Sequence, residues 1–258
     1  MTKNSYLPIN KNQGMRRQPQ QKRSQQRVER MLDAAAEVFD EVGYEAATTH
    51  AIAARAKTAI GSLYQFFPDK LAIFHALELR HVERVRAIHA KLSQSEIIQL
   101  PFEEFIQTLA VEFRKLFEQP TSRIVFVQYF TSAAIFQTID ESFTQEAIDF
   151  TSQLWRKRNP ELALEQSNLL AKVCVHTYNT LVLIALRSNE TDCEQIFAQI
   201  EALLIAYLRP YVGDEVLNKV MKCPHCRSQR LSKNGHRHGK QRYLCKDCGK
   251  QFPENLPE

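Results

Sequence analysis

The sequence predicts an all-α fold of about nine helices, closed at its C-terminal end by a small β unit. Three observations carry this reading. No Gly occurs between Gly61 and Gly213, and Gly costs about 1 kcal/mol against Ala inside a helix. Apolar residues recur at three- and four-residue spacing, and no alternating run precedes residue 220. Four of the six Cys fall within Cys223–Cys248, where Gly, His and Lys/Arg also concentrate.

With 258 residues the chain is long enough for one large or two modest domains and a sizeable core. Apolar residues at 44% and charged residues at 24% exclude wholesale disorder, collagen and a membrane bundle. The net charge of +5 conceals a division. Residues 1–30 carry +7, residues 31–218 carry −9 and residues 219–258 carry +7. Two basic ends around an acidic middle point to polyanion contacts at the ends.

Taken in order, residues 1–23 form a basic leader, rich in Gln and Asn and expected to be disordered. It has no apolar segment of the secretory type. The stripe Val28, Leu32, Ala35, Phe39 and Val42 marks the first helix. A second stripe runs through Phe74, Leu77, His81, Val85, Ile88 and Leu92. Pro68, Pro101, Pro120, Pro160 and Pro210 mark helix boundaries. Helices are expected over 102–118, 121–137, 141–158, 161–187 and 192–209. The longest uncharged runs, Ile124–Ile139 and Val173–Leu186, are shorter than a membrane span and read as buried helices. A reducing cytoplasm is the expected compartment.

Between the two stripes, Thr48 or Thr49 can cap a short helix ending at Ala56. A turn follows at Lys57–Thr58, then a second short helix over Ala59–Phe67. Ile60, Leu63, Tyr64 and Phe67 fall at i, i+3, i+4 and i+7, which predicts a buried face. Ala59, Gly61, Ser62 and Gln65 occupy the opposite face. Small and hydrogen-bonding side chains there suit close entry into a DNA major groove. Lys70, in the next helix's first turn, is placed to meet a phosphate.

Residues 24–72 resemble the DNA-binding domain of the TetR/AcrR transcriptional regulators. The resemblance rests on MLDAAAEVF at 31–39, Gly43-Tyr44, Thr48-Thr49, Ile52-Ala53, Ala56, the run IGSLYQFFPDK at 60–70, and Leu71. It implies that Ala59–Phe66 is a recognition helix and that Thr49, Tyr64 and Lys70 contact phosphates. The candidate DNA-facing set is Thr48, Thr49, Lys57, Thr58, Ala59, Gly61, Ser62, Tyr64, Gln65 and Lys70. The family usually has Gly where this chain has Lys57. Lys57 therefore holds a left-handed turn at a cost, or the turn differs. The resemblance further implies that residues 73–213 form a helical body that binds a small effector and makes a homodimer. The dimer would use Glu161–Arg187 and Asp192–Leu208. Their apolar residues Leu169, Val173, Leu181, Ile184, Ile196, Ile200, Leu203, Leu204 and Tyr207 fit burial, but periodicity does not separate core from interface. Phe102–Phe117, Phe126–Phe136 and Trp155 are either pocket or core, and no ligand-binding residue is assigned. Cys174 and Cys193 read as inert thiols.

Residues 214–222 read as a linker and 223–252 as a zinc ribbon. Cys223, Cys226, Cys245 and Cys248 form two C-x₂-C pairs separated by 18 residues, a structural zinc spacing. Four thiolates make a closed tetrahedral Zn²⁺ site. Asn234-Gly235 is a tight-turn signal, and Gln241–Leu244 reads as a strand. The segment resembles the zinc-binding N-terminal module of insertion-sequence transposase proteins, through CPxC, Lys233–Gly235, GKQRYLC at 239–245 and CKDCGKQF at 245–252. The usual Gly after the first pair is Arg227 here, which suggests a looser knuckle. That resemblance implies DNA association, with Lys233, Arg237, Lys240 and Arg242 as auxiliary contacts.

Together these features predict a homodimeric, ligand-responsive regulator, not an enzyme, that binds a double-stranded DNA operator and no membrane. Two other classes stay open: a zinc-dependent protein-interaction adaptor, and a DNA-binding protein associated with mobile elements.

Overall fold

A computed structural model describes residues 15–16, 19–131, 133–214, 223–228, 230–237 and 240–253. It does not describe the side chains of residues 131–142, 233, 236–241 and 253. Ten helices and three strands occur among the described residues.

Helix α1 (Lys22–Ala46) begins within the stretch assigned to the leader. The leader is also not wholly free. Met15 packs on the first core, and the Arg16 N–H donates to the Phe66 carbonyl at 2.8 Å. Val28, Leu32, Ala35 and Phe39 are buried as expected, whereas Val42 is exposed. The reason lies at Gly43, whose φ of 78° breaks the helix and lets Tyr44 rejoin the core. Only Gly adopts that conformation at no steric cost.

Helices α2 (Thr49–Arg55), α3 (Ile60–Phe66) and α4 (Lys70–Leu92) follow. Asp69 caps α4 by accepting from the Ala72 N–H at 2.8 Å. The core of α1 to α4 continues into the next layer through Ile124, Val125 and Tyr129. These belong to α7 (Pro120–Thr131), which Arg123 also ties to Asp40 of α1. The body adds α5 (Ser95–Ile98), α6 (Phe102–Phe117), α8 (Ala133–Arg158), α9 (Leu164–Leu186) and α10 (Glu190–Val212).

Several boundaries differ from expectation. Helix α8 runs unbroken through residues 138–140, where the sequence reading placed a boundary. Helix α10 passes through Pro210 and ends at Gly213. A Pro this near the end of a helix removes only one of its last hydrogen bonds.

Asp214 also belongs to the body rather than to a linker, whose remaining residues 215–222 are not described. Its carboxylate accepts from the Phe102 N–H at 2.9 Å, capping α6, and from the Arg158 guanidinium at 2.7 Å. Arg158 is completely buried. It donates further to the carbonyls of Ile98, Leu100 and Val212 and lies against the Phe102 and Phe105 rings. One side chain thus gathers three chain segments at one end of the body.

Strands β1 (Leu231–Arg237), β2 (Lys240–Cys245) and β3 (Gln251–Pro253) form an antiparallel sheet in the order β1-β2-β3. The reversal between β1 and β2 follows Arg237, because Arg237 pairs with Lys240. Asn234-Gly235 is therefore not the hairpin turn. It lies in the irregular register between Lys233 and His236, with Gly235 at φ 75°. An inserted residue of positive φ makes a bulge that bends the strand.

Candidate nucleic-acid interface, cavity and metal centre

The short helices are built for presentation. The Thr48 side-chain oxygen accepts from the Ala51 N–H at 3.1 Å, so Thr48 is the cap of α2. Ile52, Ala53 and Ala56 are buried, and Arg55 joins Glu41 of α1 through two hydrogen bonds of 2.9 and 2.7 Å. In α3, Leu63 and Phe66 are buried, as is Phe67 just beyond it, while Ile60 is half-buried. Tyr64 is exposed, which corrects its place on the predicted buried face. A helix turns 100° per residue, so Phe66, three positions after Leu63, takes the inner position. Tyr64 instead shares a 3.0 Å hydrogen bond with Thr49, linking the outer sides of α2 and α3.

Ala59, Gly61, Tyr64 and Gln65 are exposed, and Ser62 and Thr58 are half-buried. Nothing lies within 4 Å of where a Gly61 Cβ would stand. The protein's own packing therefore gives no reason for Gly there. Lys57 is exposed with φ 50°, so the connection keeps the left-handed conformation despite its side chain. Lys70 is not a free cation. Its ammonium donates to the carbonyls of Tyr44 at 2.6 Å and Glu45 at 3.0 Å and lies over the Tyr44 ring. That position complements the carbonyl end of α1.

A cavity of ≈ 190 Å³ opens between α4, α6, α7, α8 and α9. Phe113, Phe117, Phe126, Phe130, Phe150 and Trp155 contribute to its wall. Phe102 and Phe105 lie outside it, against Arg158. Phe136 falls among the side chains that are not described. His81 and His89 of α4 also line the cavity. Burial pushes both imidazoles down to about 4. His89 stacks on Phe150 with 3.7 Å between ring centres. Arg86 and Glu146 face each other across the wall in two hydrogen bonds of 2.8 and 2.9 Å. Cys174 lines the same space, and burial pushes its thiol up to about 12.

Leu169, Val173 and Ile184 of α9 and Leu203 of α10 are exposed, while Ile200 is buried. Tertiary structure thus separates the outward apolar face from the core. Helix α9 is also the one described helix long and apolar enough to cross a membrane by length and composition. It packs against α8 and α10.

In the ribbon, the four sulfurs of Cys223, Cys226, Cys245 and Cys248 lie within 4.8 Å of one another. The Cys223–Cys248 and Cys226–Cys245 sulfurs are 3.4 and 3.5 Å apart. A Zn²⁺ held by bonds of about 2.3 Å spaces its sulfurs by about 3.8 Å, whereas a disulfide closes to about 2.05 Å. The arrangement therefore fits a tetrahedral metal site. The Cys248 N–H, with lesser help from the Asp247 N–H and nearby sulfurs, brings the Cys245 thiol down to about 6.

Both knuckles make the same turn. Arg227 N–H donates to the Cys223 carbonyl at 2.7 Å, and Gly249 N–H donates to the Cys245 carbonyl at 2.9 Å. Arg227 adopts φ 59° beside 70° for Gly249, so the first knuckle is as tight as the second. This corrects the expectation of a looser turn. Arg242 is half-buried. Lys233, Arg237 and Lys240 lie on the paired strands β1 and β2, and their side chains are among those not described.

Comparison with known proteins decides what this scaffold is. Residues 31–77 match the family described as bacterial regulatory proteins, tetR family, and residues 101–208 match the tetracyclin repressor-like C-terminal domain. The chain belongs to the TetR family of regulators.

Its members are DNA-binding transcriptional regulators rather than enzymes. The HTH-type transcriptional repressor KstR of Mycolicibacterium smegmatis is 39% identical over 62 residues, 24% of this chain and 30% of that protein. The match thus spans less than a third of the curated relative's length. A putative TetR-family regulator from Mesorhizobium loti superposes with a TM-score of 0.57 at 18% identity, covering 74% of this chain and 100% of the other. The fatty acid degradation regulator FadR from Bacillus halodurans gives 0.56 at 20% identity, covering 71% and 96%. These likenesses establish the TetR fold. Neither matched segment reaches the four cysteines.

The sequence reading missed Arg158 and Asp214, which organise the base of the TetR body. A buried Arg at the end of an amphipathic helix reads as an ordinary last-turn cation.

Proposed function

We propose that this TetR-family regulator is a ligand-responsive repressor that acts as a homodimer and carries a zinc ribbon adding DNA contact. The observation that carries the reading is the outward side of α3. Gly61, Tyr64 and Gln65 are exposed there, while Leu63 and Phe66 anchor the helix from behind. Base edges would be read from this face, with Thr49, Tyr64 and Lys57 placed for phosphates.

The exposed side of α9 and α10 is the face offered to a second copy. Two recognition helices would then read half-sites about one helical turn apart. An effector would favour the dimer state with the wrong spacing, through a difference in affinity between the two states. The four cysteines would hold one structural Zn²⁺, whose binding supplies folding free energy to a segment too small to fold unaided. Cytoplasmic DNA is the expected target.

Footprinting of genomic DNA with the full chain and with a chain ending at Asn218 tests this. The expected result is one protected palindrome for both, with a shallower salt dependence for the shorter chain. No protection by either chain would overturn the operator reading. Equal salt slopes would make the ribbon a protein-binding module.

A further inference from the structure

The cavity in the helical body has a wall chemistry that selects among ligands. Its two charged side chains, Arg86 and Glu146, satisfy each other through both carboxylate oxygens. Its two imidazoles, His81 and His89, are buried and neutral near pH 7. Among the described residues, no charge in the wall is left for a carboxylate, a phosphate or an ammonium group.

Three side chains that line the cavity also carry buried polar atoms with no hydrogen-bond partner among the described residues: Trp155 Nε1, Tyr178 Oη and His81 Nδ1. Each is costly when left unsatisfied, by about 1–3 kcal/mol. A ligand that supplies a partner recovers part of that cost. An apolar cavity of about 150 Å³ is known to take up benzene. At ≈ 190 Å³ this one has room for a single ring bearing a small polar substituent.

We infer that this cavity binds an uncharged, largely apolar molecule of about one substituted ring, carrying a group that hydrogen-bonds to the wall. The inference rests on the reading of the chain as a ligand-responsive regulator, since it names the class of effector for that body. Charged molecules of the same size are disfavoured, because entry would strip their hydration with no free opposite charge among the described wall residues to replace it.

The chain has one Trp, and it lies in this wall, so it reports on the site directly. Nitro-aromatic probes of equal size quench indole fluorescence on contact. The full-length protein is titrated at pH 7 with 4-nitrobenzyl alcohol, 4-nitrobenzoate and 4-nitrobenzylammonium. The expected result is saturable one-to-one quenching by the alcohol, with both ions at least tenfold weaker. An Ala110→Leu variant, which fills part of the cavity, should weaken the alcohol about tenfold. Its thermal midpoint is checked first, and the ranking of the three probes in the wild-type chain stands if the variant does not fold.

Equal or tighter binding of either ion would overturn the assignment of ligand class. Absence of quenching by all three, or unchanged quenching in a folded Ala110→Leu chain, would overturn the site. DNA binding is measured separately. An alcohol that saturates Trp155 quenching but leaves DNA bound would overturn ligand-responsive repression and leave the cavity assignment standing.

Discussion

Lys57 offers the sharpest test of how sequence, backbone and DNA contact are linked. Lys57 and Arg227 are the two non-Gly residues with positive φ among the described residues. Holding an L-residue with a Cβ in the left-handed region costs roughly 1–2 kcal/mol. Lys57→Gly removes that cost but adds about 0.4–1 kcal/mol of unfolded-chain entropy. The net expectation is a gain of roughly 0.5–1 kcal/mol, seen as a rise of about 1–4 °C in thermal midpoint for a body of this size. Lys57→Ala keeps the Cβ and removes the charge, so it should show no such rise.

The two variants should behave alike on DNA. If each Lys57 of the dimer neutralises one phosphate, both variants flatten the slope of log affinity against log salt by about 1.8. Between 50 and 200 mM salt, that changes the ratio of wild-type to variant affinity by about 12-fold. Circular dichroism melting and fluorescence anisotropy with a footprinted operator are the assays. An unchanged midpoint for Lys57→Gly would refute the strain argument. An unchanged salt slope, or tighter low-salt binding by Lys57→Gly, would refute the phosphate role.

Gly61→Ala should stabilise the fold by up to about 0.4–1 kcal/mol, because its Cβ meets nothing within 4 Å. It should nonetheless weaken operator binding; unchanged affinity would mean that α3 does not approach DNA closely. Arg158→Met should cost roughly 3 kcal/mol or more, at about 1–3 kcal/mol for each acceptor left without its donor, since it removes the donor to the carbonyls of Ile98, Leu100 and Val212. A thermal midpoint within 3 °C of wild type would contradict that role. Chelation, or Cys245→Ser, should abolish one bound zinc per chain and erase the ribbon's NMR dispersion while leaving helical circular dichroism intact. Retained dispersion without metal would show that the ribbon folds unaided. His81 and His89 take up protons in the unfolded chain near pH 6.5 but in the folded chain only near 4. The unfolded state therefore binds more protons as pH falls through that window, and stability falls with it by roughly 2–3 kcal/mol per His at pH 4.5. His89→Phe, which retains the stack on Phe150, should remove about half of that loss in denaturant titrations.

Different features were legible to different degrees. The positions of α2 and α3 followed from Thr48, the Lys57–Thr58 turn and Pro68, because capping and backbone restriction act within a few residues. The convergence of Cys223, Cys226, Cys245 and Cys248 was readable from spacing alone, since two C-x₂-C pairs at this separation suit few arrangements. Reversal of the β hairpin was misplaced. Asn234-Gly235 supplies a residue of positive φ, and a bulge uses one as readily as a turn does. The boundary expected at 138–140 was misplaced, because α8 runs through it and neither Gly nor Pro stands there to stop the helix. Tyr64 was placed on the wrong side of its helix, because hydrophobicity does not say whether Tyr or the nearby Phe66 turns inward.

By itself, the sequence determined the class of the molecule. Uneven Gly, Cys and charge divide it into a basic leader with short reading helices, an acidic helical body and a basic cysteine unit. These are local and compositional properties, written in every few residues of chain. Tertiary structure alone decided which cations are free and which are spent. Lys70 is held by the carbonyls of Tyr44 and Glu45, Arg86 by Glu146, and Arg158 by Asp214, while Lys57 stays exposed. It also decided which apolar residues make core, cavity or outward face. Partners such as these lie 25 to 60 residues apart in the chain, so no local pattern could encode their meeting.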